Sequence, residues 1–263
     1  MLISFYIEIN CSCVTLIFNA VTLSLLTFCL FLKMNISLIS LLTHHPSTQM
    51  EIINKHNDLR RMTNPSASNM LKMVSCVFSK DYCQSAFSYL KIDFKIGPIF
   101  LKYSNLFILI EIAGCGENLF MSSRPESWSD AIQFLYNEVK DFKYGIGNTR
   151  ANANTFHYTQ LVWATSHQLG CALAHCPHQK LPYYYVCQYC PAGNNVRTWK
   201  TPYRKGKPCG DCPGHCDNRL CTNPCMYEDK YTNCADLVKF HGCNLKLTRE
   251  NCQATCKCPS EIK

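Results

Sequence analysis

The sequence predicts an α+β protein that ends in a small, disulfide-rich, mostly helical domain. Two segments, 47–64 and 124–143, place apolar residues at helical spacing. Three shorter segments, 156–163, 169–174 and 183–189, have the alternation or the aromatic content that is typical of strands. The last part, 209–258, holds ten cysteines in 50 residues, and a segment so short needs cross-links because it cannot build a sufficient core alone.

The cysteine content indicates an oxidising compartment. The chain of 263 residues has 20 cysteines, and 15 of them lie between Cys115 and Cys258. Their spacings are irregular and lack paired histidine ligands, so disulfides explain them better than metal sites do. We therefore expect a secreted, extracellular protein, long enough for one large domain or two.

Residues 1–43 form a hydrophobic leader in this interpretation. The run 14–32 is apolar apart from a few hydroxyl residues and one Asn, and Glu8 is the only charge before Lys33. Such a run is long enough for a signal peptide or for a marginal membrane anchor. Either role is open, and neither contributes to the fold.

The two helical segments carry the first candidate polar residues. Ser47 or Thr48 is the expected N-cap of the first helix, and Pro65 ends it. His56 lies within this helix, where we expect a hydrogen-bonded structural histidine. The second helix, 124–143, has an apolar face and includes Glu138.

The segment 156–163 reads Phe-His-Tyr-Thr-Gln-Leu-Val-Trp and predicts a strand, because aromatic and β-branched residues dominate it. As a strand it would direct Tyr158 and Gln160 to one face and His157 and Thr159 to the other. His157 is then either a core residue or a site residue, and the pattern alone does not choose.

A basic linker, 196–208, separates the two parts of the chain. It contains Arg197, Lys200, Arg204, Lys205 and Lys207 and no acidic residue. Such a segment can meet acidic glycans, lipid head groups or a channel vestibule, or it can be a solvated connector. No nucleic-acid partner is expected.

Several motifs together resemble the cysteine-rich secretory proteins of the CAP superfamily. They are His-Asn-Asp-Leu-Arg-Arg at 56–61, Cys-Gly-Glu-Asn-Leu-Phe at 115–120, His-Tyr-Thr-Gln-Leu-Val-Trp at 157–163 and the stretch 183–194. The resemblance implies an α-β-α sandwich over 47–195, the linker 196–208 and a cysteine-rich domain over 209–258. Within that domain, 225–258 is similar to sea-anemone (ShKT-type) channel toxins.

The resemblance also implies disulfide pairs, which spacing alone could not choose. The implied pairs are Cys115–Cys190, Cys171–Cys187, Cys209–Cys216, Cys212–Cys221, Cys225–Cys258, Cys234–Cys252 and Cys243–Cys256.

The family's cleft holds two histidines and two glutamates that can bind a divalent metal. By matching motifs this chain supplies Glu117, Glu138 and His157. The other histidine belongs to an interval in which this chain has none, the atypical segment 74–113. We hypothesise that this segment comes from an alternative exon or a misread gene model. The resemblance then implies that zinc, if bound, is held weakly at His157.

The atypical segment also disturbs the cysteine count. Without the leader the chain has 17 cysteines, an odd number. Cys76 and Cys83 are the only candidates in this segment for pairing with Cys176.

Two function classes follow. The first is a non-catalytic, secreted modulator of ion channels or of cell-surface proteins, including the sperm surface in fertilization, as the likeness to reproductive-tract and venom proteins implies. The second is a metal-dependent hydrolase that uses the Glu/His cleft. A third interpretation of Glu117, Glu138 and His157 is a polar cluster that only fixes the fold.

The tail offers its own contact candidates. Anemone-type toxins place a lysine next to an aromatic residue. Here Lys246 supplies the lysine, but the next residue is Leu247, so the aromatic residue is absent. Phe240, Tyr227 and Tyr231 could complete a contact surface, or they could pack the small core.

Overall fold

A computed structural model describes residues 43, 45–75, 115–176 and 178–263. Nearly all of the leader and of the atypical segment therefore lies outside the described residues, including both candidate partners of Cys176, which is itself disulfide-bonded. Across the described ranges, no helix is both long and apolar enough to span a bilayer.

The first helix, α1, spans Pro46–Arg61. It begins one residue earlier than the sequence predicted, with Pro46 in its first turn and His45 as N-cap, so neither Ser47 nor Thr48 is the cap. Proline suits this position because the first amides of a helix have no intrahelical acceptor. The helix ends at Arg61 instead of Asn64, since Met62 has already left helical geometry.

A four-stranded sheet lies at the centre of the first domain. Its strands are β1 (Val74–Ser75), β2 (Gly116–Ser122), β5 (Gln168–His175) and β6 (Tyr183–Cys190), in the order β1-β5-β6-β2. β6 is antiparallel to both β5 and β2, and β1 is parallel to β5. The predicted strands 169–174 and 183–189 are confirmed within one residue, whereas β2 was recognised only as a motif.

The second predicted helix is shorter and has two parts. α2 spans Trp128–Tyr136 and continues as a 3₁₀ turn over Asn137–Asp141. It begins at Trp128 because the Ser127 hydroxyl accepts the Asp130 amide, so the prediction of a start at Arg124 was wrong. Trp128 is buried and its indole meets the ring of Tyr185 in β6 edge to face, which places α2 against the sheet.

The segment 156–163 is not a strand. Phe156–Leu161 forms a helix, α3, which follows the short hairpin of β3 (Phe142–Lys143) and β4 (Gly147–Asn148). Tyr158 and Thr159 are adjacent and both buried, whereas an amphipathic strand would point one of them towards solvent. β-Propensity is a weak preference, and tertiary contacts overrode it here.

A buried arginine fastens α1 to the rest of the domain. Arg60 is 1% exposed and makes six hydrogen bonds, all to backbone carbonyls. The acceptors are the carbonyls of Leu71, Leu161, Trp163, Ala164 and Ser166. Burial lowers the pKa of its guanidinium to about 9. One side chain thus joins α1 to four carbonyls in the chain at and after the end of α3.

The segment 196–208 is not simply a solvated connector. Tyr203 is 3% exposed and belongs to the main core, and the Arg204 carbonyl accepts the amide of Ser68. The Pro202 carbonyl accepts the amide of Ala164. The backbone of this segment therefore packs on the first domain, while its five basic side chains face solvent.

The C-terminal part is small and helical. A two-stranded ribbon, β7 (Cys216–Asp217) with β8 (Leu220–Cys221), precedes the helices α4 (Cys234–His241), α5 (Lys246–Asn251) and α6 (Gln253–Lys257). Leu220 joins the main core, which anchors this part to the first domain. The predicted class, α+β with a disulfide-rich helical tail, is confirmed.

Candidate functional site

Glu138 organises the cleft end of α3. It lies in the 3₁₀ turn after α2, and its Oε2 accepts the amides of His157 and Tyr158 at 3.0 and 3.1 Å. These amides belong to the first turn of α3, where backbone donors have no intrahelical acceptor. A carboxylate is also favoured there by the helix dipole. Glu138 therefore specifies where α3 begins, and this explains why a segment with strand-like composition is helical.

The second oxygen of Glu138 is also engaged. Its Oε1 lies 2.7 Å from His157 Nδ1, and both side chains are partly buried, with 20% and 31% of their surfaces exposed. The carboxylate thus has three hydrogen-bonding partners. These bonds to α3 use most of the capacity of the Glu138 carboxylate to accept hydrogen bonds.

Glu117 has a different partner. It lies on β2 directly opposite Gln188 of β6, and Gln188 Nε2 donates to its Oε2 at 2.6 Å. Burial raises the pKa of Glu117, and the hydrogen bond from Gln188 opposes this shift. In the described ranges no hydrogen bond links Glu117 to Glu138 or His157. The structure thus brings Glu138 and His157 together, while Glu117 is bonded within the sheet.

A buried network behind the cleft escaped the sequence interpretation. Asn118 Nδ2 donates to the His157 carbonyl at 3.0 Å and to the Tyr189 hydroxyl at 3.3 Å. That hydroxyl lies 2.9 Å from His56 Nε2. The network therefore joins α3, β2, β6 and α1. Asn118 follows Glu117 in the motif at 115–120, which was the only sequence signal for its importance.

His56 is the structural histidine that its position in α1 predicted. It is fully buried, and its Nδ1 lies 2.8 Å from the Ile52 carbonyl. Because a carbonyl can only accept, Nδ1 carries the proton and Nε2 accepts from Tyr189. Burial lowers the pKa of His56 to about 4, so the neutral form that suits this network is stable at neutral pH.

The cleft residues fit a firmly bound zinc ion poorly. A zinc site needs several nitrogen, sulfur or oxygen ligands that converge on one point. The bond between His157 Nδ1 and Glu138 leaves Nε2 open, as in many metal-binding histidines, but Glu117 is bonded to Gln188 and the three cleft residues do not converge as a ligand group in the described residues. In the part of the chain that the structure describes, the clusters with metal-like spacing consist of Cys209, Cys212 and Cys221, and of Asp229, Cys234 and Cys252. All of their cysteines are in disulfides, so these clusters offer no thiolate.

The seven disulfide pairs implied by the resemblance are bonded in the structure. Two lie in the first domain, Cys115–Cys190 and Cys171–Cys187, and link β6 to the start of β2 and to β5. Five staple the C-terminal part: Cys209–Cys216, Cys212–Cys221, Cys225–Cys258, Cys234–Cys252 and Cys243–Cys256.

The tail presents its aromatic candidates to solvent. Phe240 is 77% exposed, and Tyr227 and Tyr231 are each more than two-fifths exposed. Lys246 is exposed at the start of α5. Phe240 therefore does not pack the small core, whereas Tyr227 and Tyr231 are partly covered. Tyr227 instead stacks under Lys257, whose Nζ lies 4.1 Å from the ring centroid.

The fold and the disulfides define a two-part scaffold, an α+β domain with a polar cleft followed by a cysteine-rich helical domain. A family model described as the cysteine-rich secretory protein family, CAP, matches residues 53–189, and a model described as Crisp matches residues 209–263. Cysteine-rich secretory protein 2 of Cavia porcellus is 50% identical over 224 residues, which cover 85% of this chain and 88% of that protein. The Homo sapiens protein of the same name is 47% identical with the same coverage.

Among solved structures, the crystal structure of Na-ASP-1 aligns with a TM-score of 0.46 and 26% identity, covering 67% of this chain and 47% of that one. The chain therefore spans about half the length of that protein. On the family models and the two relatives, this chain belongs to the cysteine-rich secretory protein family.

Proposed function

We propose that this protein is a secreted, non-catalytic modulator that binds an ion channel or another cell-surface protein through its C-terminal domain. The exposure of Phe240 carries this proposal. Phe240 is 77% exposed on α4, which packs against α5, and exposed apolar side chains grouped on neighbouring elements mark interaction sites better than single ones do. Leu247, which follows Lys246, is 43% exposed on the neighbouring helix α5.

The rigidity of the domain supports a binding role. Five disulfides constrain residues 209–258, so contact residues on α4 and α5 lose little conformational entropy when they bind. A basic residue next to apolar side chains suits a partner with an acidic, partly apolar surface, such as the outer mouth of a cation channel.

The state of the cleft supports the absence of catalysis. General base chemistry needs a carboxylate or imidazole within reach of substrate. Glu138 already bonds two amides and the His157 imidazole, and the interval 74–113 supplies no second histidine, so the only cleft nitrogen left among the described residues as a candidate base is Nε2 of His157. Ser122, near the cleft motif, accepts the amide of Arg124 and has no histidine among its described partners. These contacts favour the interpretation of the cluster as structural over the hydrolase alternative.

Secretion is supported by the disulfides. Disulfides persist in oxidising compartments and are rare in the cytosol. Under reducing conditions the five pairs of the C-terminal domain would be lost, and little else would hold that domain together, because it has few other core contacts.

Whole-cell patch clamp tests the proposal. Calcium and potassium currents would be recorded with the purified full chain and with the double variant Phe240→Ser, Lys246→Gln. A matched control, Phe134→Ser with Lys140→Gln, removes one exposed aromatic and one exposed lysine from the first domain. We expect the wild type and the control to change a current and the tail variant to lose most of that effect. No effect of the wild type on any current, or equal loss in both variants, would contradict the proposal.

A further inference from the structure

A second exposed apolar surface lies on the first domain, far in sequence from the tail residues. We call it the aromatic–basic face, and it consists of Ile146, Phe156, Val196, Arg197, Trp199 and Lys200. Val196 is 86% exposed, Ile146 is 55% exposed and Phe156 is 47% exposed. None of these side chains takes part in the cleft contacts of Glu138 or Glu117.

Several contacts hold this face in one shape. The Gly145 amide donates to the Lys200 carbonyl at 2.8 Å, which joins the tip of the β3–β4 hairpin to the segment 196–200. The Trp199 ring lies against Gly147, where an added Cβ would come within 2.5 Å of it, and it is 5.3 Å from the ring of Phe156. The apolar side chains are therefore pre-organised on a rigid base.

Asn194 completes this arrangement. Its Oδ1 accepts from the Thr159 hydroxyl at 2.6 Å, and its Nδ2 donates to the Phe156 carbonyl at 2.8 Å. These bonds tie the start of the segment to α3. As a result, the hairpin, the first turn of α3 and the segment 196–200 form one surface.

The charge around this face has a single sign. The two sequence segments that build it, 142–156 and 190–208, contain seven basic residues and no acidic residue. Of these seven, Arg150 pairs with Asp141 and Arg204 with Asp211. The nearby acid Glu138 is bonded by His157 and by backbone amides. The uncompensated charge is therefore positive.

We propose that the aromatic–basic face docks on the outer surface of a membrane that exposes anionic lipid head groups, the membrane surface that a secreted protein can reach. Val196, Ile146 and the aromatic side chains would enter the head-group region, where tryptophan and other amphipathic rings are favoured. Arg197 and Lys200 would pair with the lipid phosphates and carboxylates. The most exposed apolar residue, Val196, protrudes from the surface, and a protruding apolar tip flanked by basic residues suits a lipid interface better than a pocket on a protein.

Sedimentation with vesicles tests this proposal. The full chain would be mixed with vesicles of phosphatidylcholine alone and with vesicles in which a third of the lipid is phosphatidylserine. We expect binding to the anionic vesicles that weakens as salt is added, because salt screens the attraction. The double variant Arg197→Gln, Lys200→Gln should bind about 25-fold more weakly, since each basic side chain near an anionic surface contributes about fivefold.

Two further variants separate the apolar contribution and the location. Val196→Asp should reduce binding at least as much as the loss of one basic residue. Its side chain is 86% exposed, so folding should be unaffected. The matched control Lys239→Gln, Lys246→Gln removes two exposed lysines from the tail and should bind like the wild type.

Some outcomes would overturn the proposal. One is equal binding of the wild type to neutral and anionic vesicles, or none to either. Another is an equal loss of binding in the tail control. Retention on immobilised heparin without sedimentation on anionic vesicles would identify an acidic glycan as the partner and would also overturn it. Each of these results is independent of whether the tail alters an ion current.

Discussion

Arg60 provides the strongest test of how this fold is held together. Its guanidinium is buried without a carboxylate partner in the described hydrogen bonds, and backbone carbonyls alone satisfy it. Replacing it with methionine keeps much of the side-chain volume and removes every donor. The carbonyl of Ala164 retains a second donor, the amide of Leu71. Four other carbonyls lose their bond to Arg60.

The expected decrease in the free energy of unfolding follows from these four carbonyl acceptors. A buried polar group left without a partner costs about 1–3 kcal/mol. We take the lower value, about 1 kcal/mol for each carbonyl, because the variant also avoids the cost of burying a charge. The free energy of unfolding of Arg60→Met should therefore fall by about 4 kcal/mol. Few single substitutions cost this much.

The neighbouring residue supplies the control. Arg61 is partly buried, with 19% of its side chain exposed, and it bonds the exposed Asp58 and the Asn218 carbonyl. Arg61→Met should cost less than about 1 kcal/mol, since exposed ion pairs contribute little. Equilibrium unfolding in urea, with disulfides intact, measures both variants. If Arg60→Met and Arg61→Met have the same midpoint, the carbonyl network is not what fastens α1 to the domain.

Three further predictions address the cleft and the tail. Folding lowers the pKa of His56 from 6.5 to about 4, so the neutral imidazole contributes stability that is fully present above pH 6.5. This contribution, about 3 kcal/mol, is lost as the pH falls towards 4. Thermal melts over a pH series should show the loss, and His56→Asn should flatten the pH dependence. Glu138→Ala should lower the free energy of unfolding by about 2 kcal/mol, because amides at the start of α3 lose their acceptor; an unchanged urea midpoint would argue against its capping role. Replacing Cys225 and Cys258 by serine opens a loop with a sequence separation of 33 and should cost about 4 kcal/mol; limited proteolysis should then cut the tail first, whereas cleavage at the wild-type rate would contradict the estimate.

The sequence was most informative where a local pattern matches a local environment. The strands β5 and β6 were predicted almost to the residue because they are short, are separated by a proline-containing turn and, in β6, are rich in aromatic residues. His56 was correctly interpreted because a histidine among polar residues within a helix usually forms hydrogen bonds. The implied disulfide pairs came from the family resemblance and not from spacing, since ten cysteines permit very many pairings.

The sequence was least informative where contacts between residues far apart in the chain determine the local structure. The residues of α3 favour a strand, and although Asn154 accepts the Phe156 amide, the amides of His157 and Tyr158 depend on the carboxylate of Glu138, 19 residues before His157. The sequence carried no signal for the burial of Arg60, because its acceptors at Leu161, Trp163 and Ser166 lie 101–106 residues away. No local pattern encodes such contacts, so neither could have been predicted without the fold.

The distribution of bonded and unbonded groups determines where function can reside on this scaffold. A group whose hydrogen-bonding capacity is used by the fold cannot offer it to a ligand without a cost in stability. Glu138 and Glu117 are in this position, as is the network around His56. By contrast, Phe240 and Val196 are largely uncovered in the part of the chain that the structure describes, and they contribute little to its stability. Substitutions in the cleft should therefore act mainly on stability, whereas substitutions at the two exposed surfaces should act on binding and leave the unfolding transition unchanged.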